Sequence, residues 1–335
     1  MKIGNVDLDK EVLVIAEIGN NHEGDFNLAK VLIDLALEGG AQAVKFQTIV
    51  PDKLVSAKDT ATIEKFTKWQ FSYEQFSELA DYTKEKGGMF LSTPFDLDSA
   101  KYLNDVMPAF KIASGDNTFF SLMEYCASTG KPIIMSSGIT DMDEFAKSKD
   151  FIEECWSKAG IDGDLVLLHC VASYPTADED ANLLFIRQIA ELGVTIGYSD
   201  HTFGVDAAIL SVGLGARVIE KHFTISKTYS DFRDHAISAD PEDFKTLCEG
   251  VKKANTFLGS GTKRVLDSED GCVKGARRSI VASHDLDEGH ELTMADFLWV
   301  RPGGGLAPGE ESKIIGKKTT KKIDRGEIIL SDDCA

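Results

Sequence analysis

Residues 194–224, VTIGYSDHTFGVDAAILSVGLGARVIEKHFT, read as strand, helix-length connector and strand. The two strand candidates are VTIGYS (194–199) and RVIEKHF (217–223). Both are rich in β-branched and aromatic residues and lack strict apolar–polar alternation, as strands covered on both faces do. Each closes on a histidine, His201 in YSDHT and His222 in EKHFT, in a chain that has only seven. Two buried, hydrogen-bonded core histidines would account for this. So would two metal ligands at the rim of a barrel, because imidazole pairs with oxygen donors suit a divalent first-row cation.

Outward from this unit the same rhythm repeats. Strand candidates precede it at 12–18, 42–48, 88–93, 109–114, 132–137 and 165–170, making eight in all. Amphipathic stretches such as DFNLAKVLIDLALEGG and SYEQFSELADYTKEKGG lie between them, with apolar residues at spacings of three and four and a closing Gly pair. After the eighth strand, Asp240 and Pro241 stand at N-cap and N1 positions of a last helix. Eight βα units over residues 1–260 predict an α/β fold, a (β/α)8 TIM barrel. A doubly wound open sheet shares the local pattern, but no G-x-G-x-x-G follows the first strand. Residues 261–279 are rich in Gly and charge and read as a linker. Residues 280–335 read as a small β-rich domain with an internal repeat, DLDEGHELTMADF resembling KIDRGEIILSDD.

The composition is that of a globular chain: 335 residues, 43% hydrophobic and 27% charged. No apolar run is long enough for a transmembrane helix, and the acidic N-terminus lacks the apolar core of a signal peptide. Six scattered cysteines without a C-x-x-C pair fit free thiols in a reducing compartment, so a cytoplasmic location is expected. A net charge of −19 argues against nucleic-acid and anionic-membrane partners.

Chemistry in such a barrel sits at the C-terminal ends of the strands. There the sequence places Glu17, Lys45 and Gln47, Thr93, Lys111 with Ser114 and Asp116, Ser136, His169 leading to Tyr174, Ser199 and His201, and His222. Lys45 and Lys111 fall inside apolar runs, and a buried ammonium needs a counter-charge. An ion pair with a carboxylate such as Glu17 is one solution. An anionic ligand ringed by Thr93, Ser114, Ser136 and Ser199 is the other, and hydroxyls with lysines suit a phosphate.

The motifs EIGNNHEG, VKFQT, STPF, KIASGD, PIIMSSG, YPT, YSDHT, EKHFT and RPGGG occur in this order across nearly the whole chain. The set resembles the sialic acid synthase family, of the N-acetylneuraminate synthase type. That family includes legionaminic and pseudaminic acid synthases, and its members carry a C-terminal antifreeze-like (SAF, β-clip) domain. The resemblance implies condensation of phosphoenolpyruvate with an N-acetylmannosamine-type aldehyde sugar, an N-acyl hexosamine. The products would be a nonulosonic acid and phosphate, formed by C–O cleavage with Mn2+ or Mg2+. It implies that Lys45, Thr93, Lys111, Ser114, Ser136 and Ser199 bind phosphoenolpyruvate and that His201 and His222 hold the metal. It places Glu17, Gln47, Asp116, Tyr174 and Asp234 around the sugar and reacting carbons, with Glu17, Lys45 and Lys111 catalytic. It further implies a domain-swapped homodimer in which Arg301 of RPGGG reaches the barrel of the partner.

Three places depart from the family pattern: Asp116 stands where better-known members have Glu, and residues 51–70 and YSDFRDHAIS are distinct. These leave the sugar open, including the deoxy-diamino hexoses of legionaminic and pseudaminic acid synthases. A class I Schiff-base aldolase using Lys111 is the rival on the same scaffold. It would need an apolar site poor in phosphate ligands. A metal-dependent hydrolase would not need both lysines, and an ice- or polymer-binding tail would need a flat, uncharged repeat.

Overall fold

The computed structural model describes all residues, 1–335. They divide into two units, Met1–Gly259 and Ser260–Ala335. In the first, eight parallel strands form one sheet: β1 (Leu13–Gly19), β2 (Ala43–Thr48), β3 (Met89–Pro94), β4 (Phe110–Ile112), β5 (Ile133–Ser136), β6 (Leu165–Cys170), β7 (Thr195–Asp200) and β8 (Val218–His222). Each expected strand is present, with ends shifted by two residues at most. β8 pairs with β1, and β3 packs beside β4, so the sheet closes on itself as a barrel. The open-sheet alternative is thereby excluded.

The helices follow from local chemistry. Asp25 caps α1 (Phe26–Glu38) by accepting from the Asn27 and Leu28 amides. Ser72 and Gln75 form a reciprocal capping box at α2 (Tyr73–Glu85). Asp240 caps α3 (Pro241–Leu258), the helix after β8, with Pro241 in its first turn. The segment between β2 and α2 folds into two additional helices, Pro51–Leu54 and Thr60–Trp69.

Strand alternation sorts the barrel residues into two layers. Val14, Ala16, Phe46, Phe90, Phe110, Leu167 and Ile219 face the helices. Leu13, Ile15, Ala43, Leu91, Ile134, Val166, Leu168 and Val218 fill the interior. An N-terminal hairpin, Lys2–Ile3 with Val6–Asp7, contributes Ile3, Val6 and Leu8 to this interior core. Gly197 is required where β7 meets β8: a Cβ there would lie 2.3 Å from the Val218 carbonyl oxygen.

In the second unit β9 (Ser279–Ala282) and β10 (Phe297–Val300) pair antiparallel. Ile280, Leu286, Leu292, Phe297, Ile323 and Ile329 form its core. The sequence repeat is physical. Leu286 and Ile323, equivalent in the two copies, exchange backbone hydrogen bonds of 2.8 and 2.9 Å. Asp296 and Asp333, also equivalent, accept from the Thr293 and Leu330 amides to close matching turns. The stretch read as a linker carries a short helix, Asp270–Ala276.

Candidate active site

At the C-terminal end of the barrel the interior changes from apolar to polar within one step of the strand pleat. Two residues beyond Ile15 comes Glu17; beyond Ala43, Lys45; beyond Leu91, Thr93; beyond Ala109, Lys111. The remaining strands contribute Ser136, Cys170, Ser199 and Glu220. Every strand therefore supplies one inward polar or sulfur side chain to a single ring. This ring floors a cavity of about 250 Å³, whose walls add Gln47, Ser114, Tyr174, His201 and His222. A larger cleft of about 680 Å³ lies outside the barrel, but its charged residues Glu11, Glu38, Lys245, Glu249 and Lys252 are all exposed.

Charge is concentrated in the ring. The Lys45 ammonium lies 2.6 Å from Glu17 Oε2 and 3.6 Å from Glu220 Oε2, and donates to Thr93 Oγ1 at 3.1 Å. Glu220 also accepts from the Ser199 hydroxyl at 2.9 Å. Lys111 donates to Ser136 Oγ at 2.7 Å and to the Ile112 carbonyl at 2.9 Å. No carboxylate lies within ion-pair distance of Lys111, and burial lowers its pKa. One ammonium cannot fully neutralise two buried carboxylates. Burial pushes Glu17 up to about 7 against the pull of Lys45. Burial acts on Glu220 as well, but Lys111 and Lys45 outweigh it and hold that carboxyl low.

Above the ring, His201 and His222 converge with ring centroids 5.5 Å apart. The Tyr174 ring packs against His201, tilted by 37° with centroids 4.2 Å apart. His201 Nδ1 is engaged by the Val171 carbonyl at 2.8 Å. His222 Nδ1 is buried without a partner, and burial with the neighbouring cations keeps this imidazole neutral. No third His, Cys, Asp or Glu joins them in a ligand cluster. Two imidazoles, one with an unpartnered buried nitrogen, are donors that would suit a divalent cation able to take oxygen ligands at its remaining positions.

Gln47 links the floor to the rim, donating to Glu17 at 2.9 Å and accepting from Asn20 at 2.7 Å. Asp116 stands just off the cavity wall. Its Oδ2 is buried without a partner, and burial raises the carboxyl to about 6. Asp234 is buried off the wall as well, 3.2 Å from Arg233, whose guanidinium lies 4.6 Å over the Tyr174 ring. Arg301 is exposed in the second unit.

Three readings of strand ends change. His169 faces outward, not into the cavity: it hydrogen-bonds the Ala181 carbonyl at 2.7 Å and packs on Phe185 and Tyr198. The inward residue of β6 is its neighbour Cys170. Glu220 was missed, although its position two before His222 on one strand puts both on one face. The two lysines differ in their partners: Lys45 is ion-paired with Glu17, whereas Lys111 has hydroxyl and carbonyl partners only.

Comparison with known proteins agrees with this architecture. Residues 32–263 match the NeuB family and residues 277–334 the SAF domain. The chain is 37% identical to an N,N'-diacetyllegionaminic acid synthase of Legionella pneumophila, over 95% of this chain and 93% of that one. It is 32% identical to the human N-acetylneuraminate-9-phosphate synthase, over 95% and 91%. Among solved structures, an N-acetylneuraminic acid synthetase from Leptospira borgpetersenii superposes with a TM-score of 0.76 at 31% identity, covering 82% of this chain and 94% of that one.

Proposed function

The chain belongs to the NeuB family, and we propose that it condenses phosphoenolpyruvate with an N-acyl hexosamine aldehyde to give a nonulosonic acid and inorganic phosphate. The observation that carries this reading is the floor ring. Two buried lysines and the hydroxyls of Thr93, Ser136 and Ser199 face one cavity at the mouth of the barrel, with Ser114 on its wall. A small, highly charged anion that accepts many hydrogen bonds fits such a floor. The relatives' names as synthases of legionaminic and sialic acids agree with it.

In this reading the phosphate and carboxylate of phosphoenolpyruvate lie against Lys45, Lys111 and the hydroxyls. Lys111, with no carboxylate partner of its own, gains most from the anion. The aldehyde sugar lies above, against Gln47, Tyr174, Asp116 and Asp234, with Arg301 of a second copy of the chain closing the site in a domain-swapped homodimer. His201 and His222 would hold Mn2+ or Mg2+, which supplies Lewis-acid polarisation of the aldehyde oxygen. C3 of the enol attacks the aldehyde carbon, and water adds to C2. The C2–O bond then breaks, with phosphate leaving onto the lysines, which stabilise its departing charge. Glu17, poised near neutrality, takes the proton that water addition releases and returns it to the former aldehyde oxygen, which carries negative charge once the C–C bond has formed. Holding two substrates in register supplies much of the rate, so the rim groups matter as much as proton transfer at Glu17.

The test is phosphate release from phosphoenolpyruvate with Mn2+ against a panel of N-acetylmannosamine, its 6-phosphate and 2,4-diacetamido-trideoxy hexoses. Release that requires a sugar, the metal and His222 is expected, and the best sugar names the product. Release that persists in His222→Ala sinks the metal assignment. Borohydride trapping of a substrate adduct on Lys111 would instead establish the Schiff-base aldolase.

A further inference from the structure

Behind the two imidazoles lies a pair of opposite charges that the reaction does not use. Ser199 and His201 face the cavity, so Asp200 between them faces the helices. Glu220 and His222 face the cavity, so Lys221 faces the helices too. The register of β7 and β8 sets Lys221 directly beside Asp200. Their side chains are 1% and 0% exposed, and Nζ lies 2.8 Å from Oδ2.

We propose that the buried Asp200–Lys221 pair is a positioning device for His201 and His222, tying their strands together at the separation where both imidazoles hold one cation. This inference rests on the metal-binding reading above.

The hydrogen bonds of the pair converge on the chain around His201. Asp200 Oδ1 accepts from the Thr202 amide at 2.9 Å, the Thr202 hydroxyl at 2.8 Å and the Tyr198 hydroxyl at 3.1 Å. Lys221 Nζ reaches past Asp200 to donate to the Thr202 carbonyl at 2.5 Å. Thr176 N donates to the His201 carbonyl at 2.9 Å. The backbone of Thr202, immediately after His201, is therefore held at both its amide and its carbonyl by the charged pair, one member of which is rooted in the residue preceding His222. His201 and His222 cannot separate without breaking bonds to a buried ion.

Stability alone does not account for the pair. The same helix-facing layer is elsewhere built from apolar residues such as Val14, Phe46, Phe110, Leu167 and Ile219, with the uncharged polar groups of Thr48, Ser92 and His169 among them. A buried ion pair is no more stabilising than well-packed apolar residues of similar volume. An apolar pair could not bond both the amide and the carbonyl of Thr202, so what the charges add is a fixed geometry. Groups that orient metal ligands in this way typically change metal affinity when removed, by about 10–100-fold.

The test measures Mn2+ affinity of the purified protein by titration calorimetry, with melting temperature and metal-free phosphoenolpyruvate affinity as parallel readouts. The variants are His222→Ala, the double Asp200→Asn with Lys221→Met, and Thr202→Val. The double variant removes both charges together, so neither is left buried alone. It is expected to fold and bind phosphoenolpyruvate as the wild type does, yet to bind Mn2+ about 10–100-fold more weakly. Thr202→Val removes one bond of the device without touching a charge and is expected to give a smaller loss of the same kind. Wild-type Mn2+ affinity in the folded double variant, with binding lost in His222→Ala, overturns the positioning role and leaves the metal reading standing. Parallel losses of Mn2+ and phosphoenolpyruvate affinity overturn it as well, since they mark a general disturbance. If the double variant does not fold, unaltered Mn2+ affinity in Thr202→Val overturns the proposal. No Mn2+ binding by the wild type removes the metal reading, and this inference with it.

Discussion

The two ends of the barrel are built on the same eight strands and do opposite things. At the N-terminal end Leu13, Ala43, Met89, Ala109 and Val218, with Ile3, Val6 and Leu8 of the hairpin, pack into an apolar core. At the C-terminal end one or two steps of the same pleat bring Glu17, Lys45, Lys111 and Glu220 together, all buried. The first end contributes stability by removing apolar surface from water. The second holds charge in low dielectric, which costs stability and strengthens every electrostatic contact with a ligand. The difference teaches that substitutions should separate cleanly into those that unfold the barrel and those that silence it.

The largest separation is expected at His222. His222→Ala should lower metal-dependent phosphate release by about a thousandfold, the scale of a lost Lewis acid. Its melting temperature should change little, and a large drop would break the comparison. The converse is expected at the other end. Leu8→Ala should lower unfolding free energy by about 2–5 kcal/mol in denaturant titrations, with kcat/KM retained at temperatures where the protein stays folded. A smaller but more diagnostic effect is expected at Lys111, whose buried charge has no carboxylate partner. Lys111→Met should lose about a hundredfold in kcat/KM and, because Lys111 helps to hold the buried Glu220 carboxyl low, should melt slightly below the wild type.

The smallest effect sharpens the electrostatic side. Glu17 is raised from 4.5 to about 7, so the folded state holds its proton more tightly than the unfolded chain. Its contribution is fully present below pH 4.5 and is lost as pH rises through about 7. Over that window ligand-free wild-type protein should lose melting temperature relative to Glu17→Gln, by about 2–4 °C for each kcal/mol involved. Parallel pH profiles of the two proteins would show that Glu17 is already ionised throughout.

Much of this was legible without coordinates. Runs such as VLVIAEI and LVLLHC, punctuated by capped amphipathic segments, carry the period of buried strands and surface helices. That chemistry is local, so eight βα units could be read directly. The lysines were conspicuous because Lys45 and Lys111 interrupt apolar runs. His169 and Cys170 show where such reading stops. In LVLLHC neither parity is marked by polarity, because apolar residues face both the interior and the helices. Histidine looked functional by type, but it is the cysteine that faces the cavity. Glu220 was readable in principle from its spacing to His222, yet the charged EKH run conceals which of its residues point inward. Asp200 and Lys221 look like ordinary surface charges beside YSDHT and EKHFT, and only the register of β7 against β8 makes them a buried pair.

The sequence by itself determined the number and order of strand–helix units, the paired C-terminal repeat and the family of the chain, because these rest on local periodicity and on motifs. Tertiary structure decided which side chains share the cavity, which carboxylate stays ionised and which charges lie behind the imidazoles. The physical reason is that side chains alternate along a strand with period two. A shift of one residue exchanges the face turned to the cavity for the face turned to the helices, and closure of the barrel fixes that choice.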